Sequence, residues 1–370
     1  MKSLLLISAG VAALATSPVF ADGHGTTVLS GGTGVELTFS GQVNRGVLFV
    51  DDGADNSTFF VDNDNSSTRF RFTADGAINE NWSAGLNIEI QAESNSTADV
   101  TQDNANPDSS NFLSERKLEA YIQGDNFGRL TFGQGDTASN NTSEVDLSGT
   151  AVVSYSGVED FAGGIQFTED GQLSGTTIGD AFTNLDGLSR RDRIRYDTPS
   201  FGGLTLSGSV GAGDAGNEEF YDIAAQYSGD FGAFKLDSAV AYAVNEDDDE
   251  IVNGSVSVLS EDTGLSLTLA GGNQEFDAGG DDVTFAYVKA GYQTDALTSL
   301  GKTALAVDYA ENENVLALDD QATSYGLLAV QKIDAVGTEV YLGVRNYELD
   351  VPGETFDDVT AVLAGARIKF

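Results

Sequence analysis

The chain has 370 residues, with 18 basic side chains, 58 acidic side chains, one histidine and no cysteine, and its formal charge is −40 at pH 7. Such a charge excludes nucleic acid as the partner, because phosphates need Lys and Arg. Without cysteine the chain has no disulfide and no thiolate nucleophile, and the lone His24 near the amino terminus argues against a Ser-His-Asp hydrolase, so no enzymatic activity is expected.

The first predicted element is a secretory signal peptide over residues 1–21. Lys2 gives the positive start, residues 4–14 give a short apolar run, and Ala21 is a small residue at the expected cleavage site. A membrane anchor is the alternative, but the run is far shorter than the ~20 residues of a spanning helix. We therefore expect an exported protein whose residues 22–370 form one domain.

Alternation of apolar and polar residues with a period of two dominates that domain. Residues 82–93 are the clearest example, and residues 204–210, 234–245 and 265–270 repeat the pattern. Such stretches predict strands with one apolar and one polar face. Short turns at about 79–80, 125–128, 200–203, 229–232, 261–264, 295–301 and 334–337 alternate with longer acidic connections at about 51–67, 94–113, 137–190, 211–218, 246–250, 273–282, 311–321 and 350–357.

This alternation of short and long connections predicts an all-β fold. Fifteen connections join about sixteen strands, and an antiparallel transmembrane β-barrel has short periplasmic turns and long external loops. A β-sandwich and a repeat solenoid are the competing architectures, but neither predicts short and long connections in strict alternation. The last strand also ends on Phe370, with apolar residues at steps of two before it.

Several segments resemble the Gram-negative general porins, in particular their alphaproteobacterial type. They are residues 41–53, residues 121–134, residues 195–204 and the terminal Phe370. The resemblance implies a homotrimer in the outer membrane, with the third external loop folded into the lumen to form an eyelet. It also implies that acidic groups of this loop face basic groups of the wall, and that Phe370 is the assembly signal recognised by the barrel assembly machinery.

The connection 137–190 is the candidate for the pore-constricting loop. A structureless loop of more than fifty residues is improbable unless it has a function, and this one contains apolar side chains that suggest packing in the lumen. The alternative is an external loop packed on itself or on a neighbouring subunit. From its acidic residues we predict the following eyelet acids: Glu144, Asp146, Glu159 and Asp160.

The basic eyelet residues follow from strand parity. Phe70 and Phe72 of one predicted strand, and Ile194 and Tyr196 of another, are expected to face lipid. The residues that alternate with them in each strand therefore face the lumen. An Arg facing lipid near the bilayer midplane would cost about 2–4 kcal/mol. The predicted basic residues are Arg69, Arg71, Arg193, Arg195 and Lys117. Arg45 falls on the apolar parity of its strand unless a bulge intervenes, and Arg116 lies at the outer end of its strand, where the parity rule can fail.

The predicted function is passive transport of ions and small hydrophilic solutes through a water-filled pore. We expect a weak preference for cations because the loops are so acidic. A substrate-selective channel and a surface adhesion barrel are the alternatives. The predicted partners are outer-membrane lipid and lipopolysaccharide, and no cofactor is expected, although Asp62 and Asp64 offer oxygen ligands of the type that Ca²⁺ uses.

Overall fold

The computed structural model describes residues 26–29, as backbone only, and residues 34–107, 112–213 and 219–370. The signal peptide predicted for residues 1–21 and the residue His24 lie outside this part of the chain. The strands of the described part are β1 (Thr26–Leu29), β2 (Val35–Asp51), β3 (Asn56–Asp62), β4 (Arg69–Asn79), β5 (Trp82–Ala92), β6 (Leu113–Gly124), β7 (Gly128–Asp136), β8 (Gln166–Glu169), β9 (Gln172–Thr177), β10 (Arg190–Asp197), β11 (Leu204–Ala212), β12 (Glu219–Asp230), β13 (Phe234–Val244), β14 (Glu250–Ser260), β15 (Leu265–Glu275), β16 (Val283–Thr294), β17 (Thr303–Glu313), β18 (Gln321–Ile333), β19 (Thr338–Asp350) and β20 (Val359–Lys369).

Helical structure in the described residues is limited to single turns. It consists of the α-helix α1 (Ile178–Ala181) and the 3-10 turns Asp64–Ser66, Val158–Phe161 and Asp334–Val336. None of these helices is long and apolar enough to cross a membrane.

Sixteen of the strands close an antiparallel barrel, as the sequence predicted. Each strand pairs with its neighbour in the chain, except that β7 pairs with β10 across the long connection between them. The barrel closes where β2 pairs with β20, from Gln42 opposite Lys369 to Asp51 opposite Thr360. The short connections lie at one end of the barrel and the long ones at the other, which confirms the predicted alternation.

Two additional strands extend this wall. The amino-terminal half of β2 pairs with β4, and its carboxyl-terminal half pairs with β3, so β3 and β4 together form one neighbour of β2. The interpretation of residues 51–67 as loop was therefore wrong for β3. Phe59 and Val61 of β3 are buried while Phe60 between them is 70 % exposed, which is the alternation of a wall strand. The other strand, β1, pairs with β2 beyond the end of β20.

The outer face of the barrel is apolar and much of its inner face is polar. Leu86, Phe72 and Ile194 are exposed on the outside, whereas Glu89 and Arg195 on the opposite face are 0 % and 6 % exposed. This arrangement satisfies the backbone through closed strand pairing and leaves apolar side chains for lipid. It is the orientation that the period-two pattern predicted.

The hydrophobic core lies inside the barrel, between the inner wall and the segment 137–190, which we call the constriction loop. Val153, Phe161 and Phe182 of this loop are buried against wall residues such as Tyr347 and Leu363. The loop contains the hairpin of β8 and β9, and α1 begins with a capping box between Thr177 and Asp180. The predicted packing of the third loop in the lumen is thus present in the structure.

Candidate functional site: opposed charges in the lumen

The constriction loop crosses the lumen and hydrogen-bonds to the inner wall along its length. The loop residue Ser139 donates its backbone N–H to Asp222 of β12 over 2.7 Å. Thr142 donates to Asn253 of β14 over 2.8 Å, and the Asn312 amide of β17 donates to the carbonyl of loop residue 183 over 2.7 Å. These strands form the wall from β12 to β17, so the loop covers that side of the barrel interior.

A cluster of arginines lies on the inner wall formed by β4, β5 and β6. Its centre is Glu89 of β5, whose side chain is 0 % exposed. Arg116 Nε is 2.9 Å from Glu89 Oε1, Arg69 Nη1 is 3.5 Å from the same oxygen, and Arg71 Nε donates to Glu89 Oε2 over 2.8 Å. One carboxylate therefore holds three guanidinium groups, each of which remains partly exposed.

Arg116 belongs to this cluster because β6 contains a bulge. Glu89 pairs with Lys117 and Ile90 pairs with Glu115, so Arg116 is the unpaired extra residue. A bulge redirects the side chain of the inserted residue, and Arg116 donates to Glu89 and, over 2.6 Å, to Gln91. The sequence left its side open, and no parity rule could decide it.

Further basic residues extend the cluster toward β7 and β10. Lys117 forms an ion pair with Asp136, where the constriction loop begins. Arg190 begins β10 where the loop ends, and no ion pair to it is found within the described residues. The positive charge of Arg190 acts on the loop acids Glu144 and Asp160. Arg190 was not among the predicted residues, because it lies three positions before Arg193 and therefore on the opposite parity of the strand.

Three of the predicted acids, Glu144, Glu159 and Asp160, lie together on the loop and are half-buried. Burial raises the pKa of Glu144 and of Glu159 well above the ordinary range, with repulsion from Asp186 as the next cause at Glu144 and from Asp160 at Glu159. Burial also raises the pKa of Asp160 to about 6, while its Tyr155 hydrogen bond and the charges of Arg116 and Arg190 lower it. The loop acids and the wall arginines therefore interact across the same space.

Three more acids lie near these loop acids and were not predicted as eyelet residues from the sequence. Burial raises the pKa of Asp64 and of Asp186 to about 7, and repulsion from Asp160 adds to the shift at Asp64. Burial raises the pKa of Glu93 to about 9, with repulsion from Asp64 as the next cause. Asp64 and Glu93 come from external connections that fold inward, a placement that strand parity does not describe.

The fourth predicted acid, Asp146, needs correction. Its carboxylate does not face the arginine cluster, since its Oδ2 lies 2.7 Å from Lys289 Nζ of β16 and the two side chains are 3 % and 0 % exposed. The loop is pressed against the wall at this point, and the buried cation takes up the carboxylate. Asp146 is therefore part of the attachment of the loop to the wall.

Arg193 and Arg195 need a similar correction. Both face inward as predicted, but Arg193 is covered and paired with Glu119 at 2.6 Å, and Arg195 is covered and paired with Asp197 at 2.8 Å. Their remaining donors bind backbone carbonyls near the start of the loop, including that of Thr137 over 2.6 Å from Arg195. They attach the loop to the wall, because the residues that enter the lumen at this point bury them.

Asp62 and Asp64, the two residues considered for calcium, have different surroundings in the structure. Asp62 Oδ2 accepts hydrogen bonds from Arg45 over 2.7 Å and from the backbone N–H groups of Ser94 and Asn95 over 2.9 and 3.1 Å, while Asp64 lies with the loop acids. In the described ranges, no group of three or more His, Cys, Asp or Glu side chains is placed to hold a metal ion.

The terminal Phe370 closes the seam of the barrel at the short-turn end. Its backbone N–H and carbonyl exchange hydrogen bonds of 3.0 and 2.8 Å with Gly41. Its ring lies 5.7 Å from that of Phe39 and 6.4 Å from that of Phe70. These contacts form part of an aromatic group at the level where Trp82 and Phe127 also meet.

An aqueous gap with fixed charges of opposite sign on its two sides creates a transverse electric field. Solutes with a dipole and ions can cross such a gap with their water replaced by polar side chains, whereas apolar solutes would have to displace ordered water. Among the described inward aromatics, Tyr341 and Tyr347 are covered by the loop at 2 % and 0 % exposure. They therefore do not line the space between loop and arginines.

Comparison with known proteins gives one family and one fold. The family model described as Gram-negative porin matches residues 5–351. No curated protein matches the chain.

Several solved barrels are similar in structure. The anion-selective porin from Comamonas acidovorans matches with a TM-score of 0.62 at 17 % identity, covering 91 % of this chain and 100 % of that chain. The trimer form of OmpT from Vibrio cholerae matches with a TM-score of 0.58 at 15 % identity, covering 91 % and 99 %. A mutant of the Rh. blastica porin matches with a TM-score of 0.53 at 16 % identity, covering 90 % and 100 %.

Proposed function

The chain belongs to the Gram-negative porin family, and from this premise we propose that it is a general diffusion porin. Members of this family are outer-membrane channels and not enzymes. The proposed activity is passive passage of ions and small hydrophilic solutes through a charged eyelet. The space between the constriction loop and the arginine cluster is the proposed path.

The observation that carries this proposal is the opposition of charges across that space. Arg69, Arg71 and Arg116 are gathered on one wall by a single buried carboxylate, and Asp160 lies on the loop opposite. Gathering like charges is unfavourable unless something offsets it. A field between them that orients polar solutes gives this arrangement a function that a purely structural loop would not need.

We propose a weak preference for cations. Arg69, Arg71 and Arg116 share Glu89, and Lys117, Arg193 and Arg195 each pair with a carboxylate of their own, so part of the positive charge is compensated where it stands. In the described residues, Asp160 has no basic side chain in ion-pair contact, and the external loops add many more acids. Negative potential at the mouth raises the local concentration of cations.

Recording single channels in planar bilayers tests this function. The proposal predicts a large ohmic conductance that does not saturate with solute, and a reversal potential of cation sign in a KCl gradient. Saturation by one solute would instead support a substrate-selective channel, and absence of conductance by correctly folded protein would leave the adhesion barrel. The anion-selective relative makes the sign of the reversal potential an informative result.

We also propose that the chain is a homotrimer, since one similar barrel is described as a trimer. Arg45 of β2 supports this proposal. It faces outward, with its side chain 44 % exposed, and it pairs with Asp62. Arg45 lies opposite Ala366, which is about 10 Å along the membrane normal from Phe370 at ~3.3 Å per residue and a tilt of ~40°.

That depth is within an apolar band about 25 Å tall, where an exposed guanidinium is unfavourable by about 2–4 kcal/mol. Irregular backbone at Ser94 and Asn95 lies beside Arg45, and irregular backbone does not face hydrocarbon. A subunit contact over this face would shield both the Arg45 guanidinium and the irregular backbone at Ser94 and Asn95 from hydrocarbon.

Quenching of a fluorophore by lipid tests the contact. The chain has no native cysteine, so a fluorophore can be attached at one introduced cysteine. Phe60 beside the pair and Ile223 on the distant strand β12 are 70 % and 61 % exposed, which makes them a matched pair of labelling positions. With F60C and I223C labelled separately, brominated lipid should quench only the label at 223. Equal quenching at both positions would refute the subunit contact at this face.

The outer apolar face is proposed to contact lipid and lipopolysaccharide, and Phe370 is proposed to be the signal for the assembly machinery. The proposed function needs no cofactor, and the calcium hypothesis at Asp62 and Asp64 stays a prediction. Removal of Ca²⁺ with a chelator, followed by the heat stability of the oligomer on gels, would decide whether the ion contributes.

A further inference from the structure

Lys289 and Arg345 are two cations buried beneath the constriction loop, away from the arginine cluster. Lys289 lies on β16 and Arg345 on β19, and both side chains are 0 % exposed. A buried charge is unfavourable unless it is paired and hydrogen-bonded. Their contacts show what each of them holds.

Lys289 holds the loop at two points. Its Nζ donates to Asp146 Oδ2 and to the backbone carbonyl of Ser154, each over 2.7 Å. The two loop residues are eight positions apart in the chain, so one ammonium group closes this stretch against the wall. The ion pair has no exposed edge through which water could replace it.

Arg345 of β19 binds the same loop segment, residues 146–154, at Ser154. Its Nη2 donates to Ser154 Oγ over 2.6 Å, and Asp308 of β17 binds the guanidinium at 2.7 and 2.8 Å. Two residues further along β19, the Tyr347 hydroxyl donates to the carbonyl of Val158 over 2.8 Å. The loop is therefore hydrogen-bonded to the wall at Ser154 and Val158, immediately before the acids Glu159 and Asp160.

The shape of the wall fits this grip. Gly343 lies two residues before Arg345 on the same inward face of β19, and a Cβ there would be 2.6 Å from the Phe161 ring. The Arg345 guanidinium carbon lies 5.8 Å from the centre of that ring. The wall thus leaves room for the loop at the place where its cations bind it.

We propose that Lys289 and Arg345 are positioning residues that fix the acidic side of the eyelet, an inference that rests on the proposed pore function. Neither cation faces the solute path. Each acts through the loop, by setting how far Glu159 and Asp160 stand from the arginine cluster. Ion selectivity and conductance then depend on two side chains that no permeating ion touches.

A charge-neutral double variant tests the proposal. K289M together with D146N removes one positive and one negative charge, so the net charge under the loop is unchanged. We expect the single conductance level to be lost in favour of a broad distribution, and the reversal potential to shift toward anions as the acids leave their fixed place. Rescue by K289R combined with native Asp146 should restore the native current.

The matched control is K235M with E261Q. This ion pair has the same length of 2.7 Å but is exposed and lies near the short turns, so its removal should leave conductance and selectivity unchanged. Migration of unheated protein on gels reports folding in every variant. If the double variant does not fold, S154A combined with Y347F removes two of the loop contacts without changing any charge, and the same shift is expected from it.

A folded variant whose current distribution and reversal potential match those of the wild type overturns the positioning role. That result differs from failure of the proposed function, because in the latter case the wild-type protein itself would not conduct.

Discussion

Replacing Glu89 by Gln tests the arginine cluster most sharply. Glu89 is 0 % exposed, and the E89Q amide would keep one oxygen for Arg116 while presenting N–H groups toward Arg71. Breaking a buried charge network of this kind lowers the free energy of unfolding by about 3–5 kcal/mol. The temperature at which the folded band disappears from an unheated gel series should fall.

The same change adds one net positive charge beside the proposed path. A unit charge at ~7 Å in water changes the energy of a monovalent ion by about 0.6 kcal/mol, which is close to RT. The local cation concentration should therefore fall roughly threefold and that of anions rise by the same factor, with salt reducing both effects.

The assay is the reversal potential of E89Q in a KCl gradient at low ionic strength, where screening is weakest. E261Q is the control, because it removes one carboxylate of an exposed pair near the short turns. A shift toward anions in E89Q alone supports the reasoning. An unchanged reversal potential in folded E89Q would refute the placement of the cluster beside the ion path.

Three other outcomes are expected. The cation preference should decrease as the pH is lowered from 8 to 5, because Asp64 and Asp160, with pKa values of about 7 and about 6, become protonated and lose negative charge; a pH-independent reversal potential would contradict this. Deleting Phe370 should reduce the folded barrel in cell membranes while detergent refolding still yields it, and equal membrane levels would exclude the assembly role. R193M should leave Glu119 buried without its partner and destabilise the barrel by about 3–5 kcal/mol, with little change in selectivity. Thermal gel shifts and reversal potentials measure the two effects, and unchanged stability with altered selectivity would contradict this prediction.

The barrel could be predicted from the sequence because its signal is local and repeated. Period-two alternation identifies one strand at a time, and the alternation of turn lengths orders the strands, so sixteen strands followed, while the lumen loop was predicted from the length and apolar content of residues 137–190 and from the porin resemblance. The inward apolar residues were harder to recognise. Leu48 of β2 and Leu363 of β20 face the lumen but are buried by the loop, so both faces of these strands are apolar and the alternation weakens.

The site was predicted less completely, because its residues depend on contacts between distant parts of the chain. Parity assigned Arg69 and Arg71 to the lumen but could not foresee that a bulge adds Arg116. Asp146 was selected as an eyelet acid because no local pattern reveals Lys289 as its partner, a residue more than one hundred positions away. Selecting among loop acids requires knowledge of the path of the loop.

The central claim is that polar strand faces enclose water while apolar faces contact lipid, with the charged gap as the path. Single cysteines introduced into this cysteine-free chain test it directly. At position 116 in the cluster and at position 160 on the loop, a membrane-impermeant charged thiol reagent should react and lower the current through open channels. At position 86 on the outer face, it should not react. Reaction at 86, with no effect on current at 116 and 160, would contradict the account.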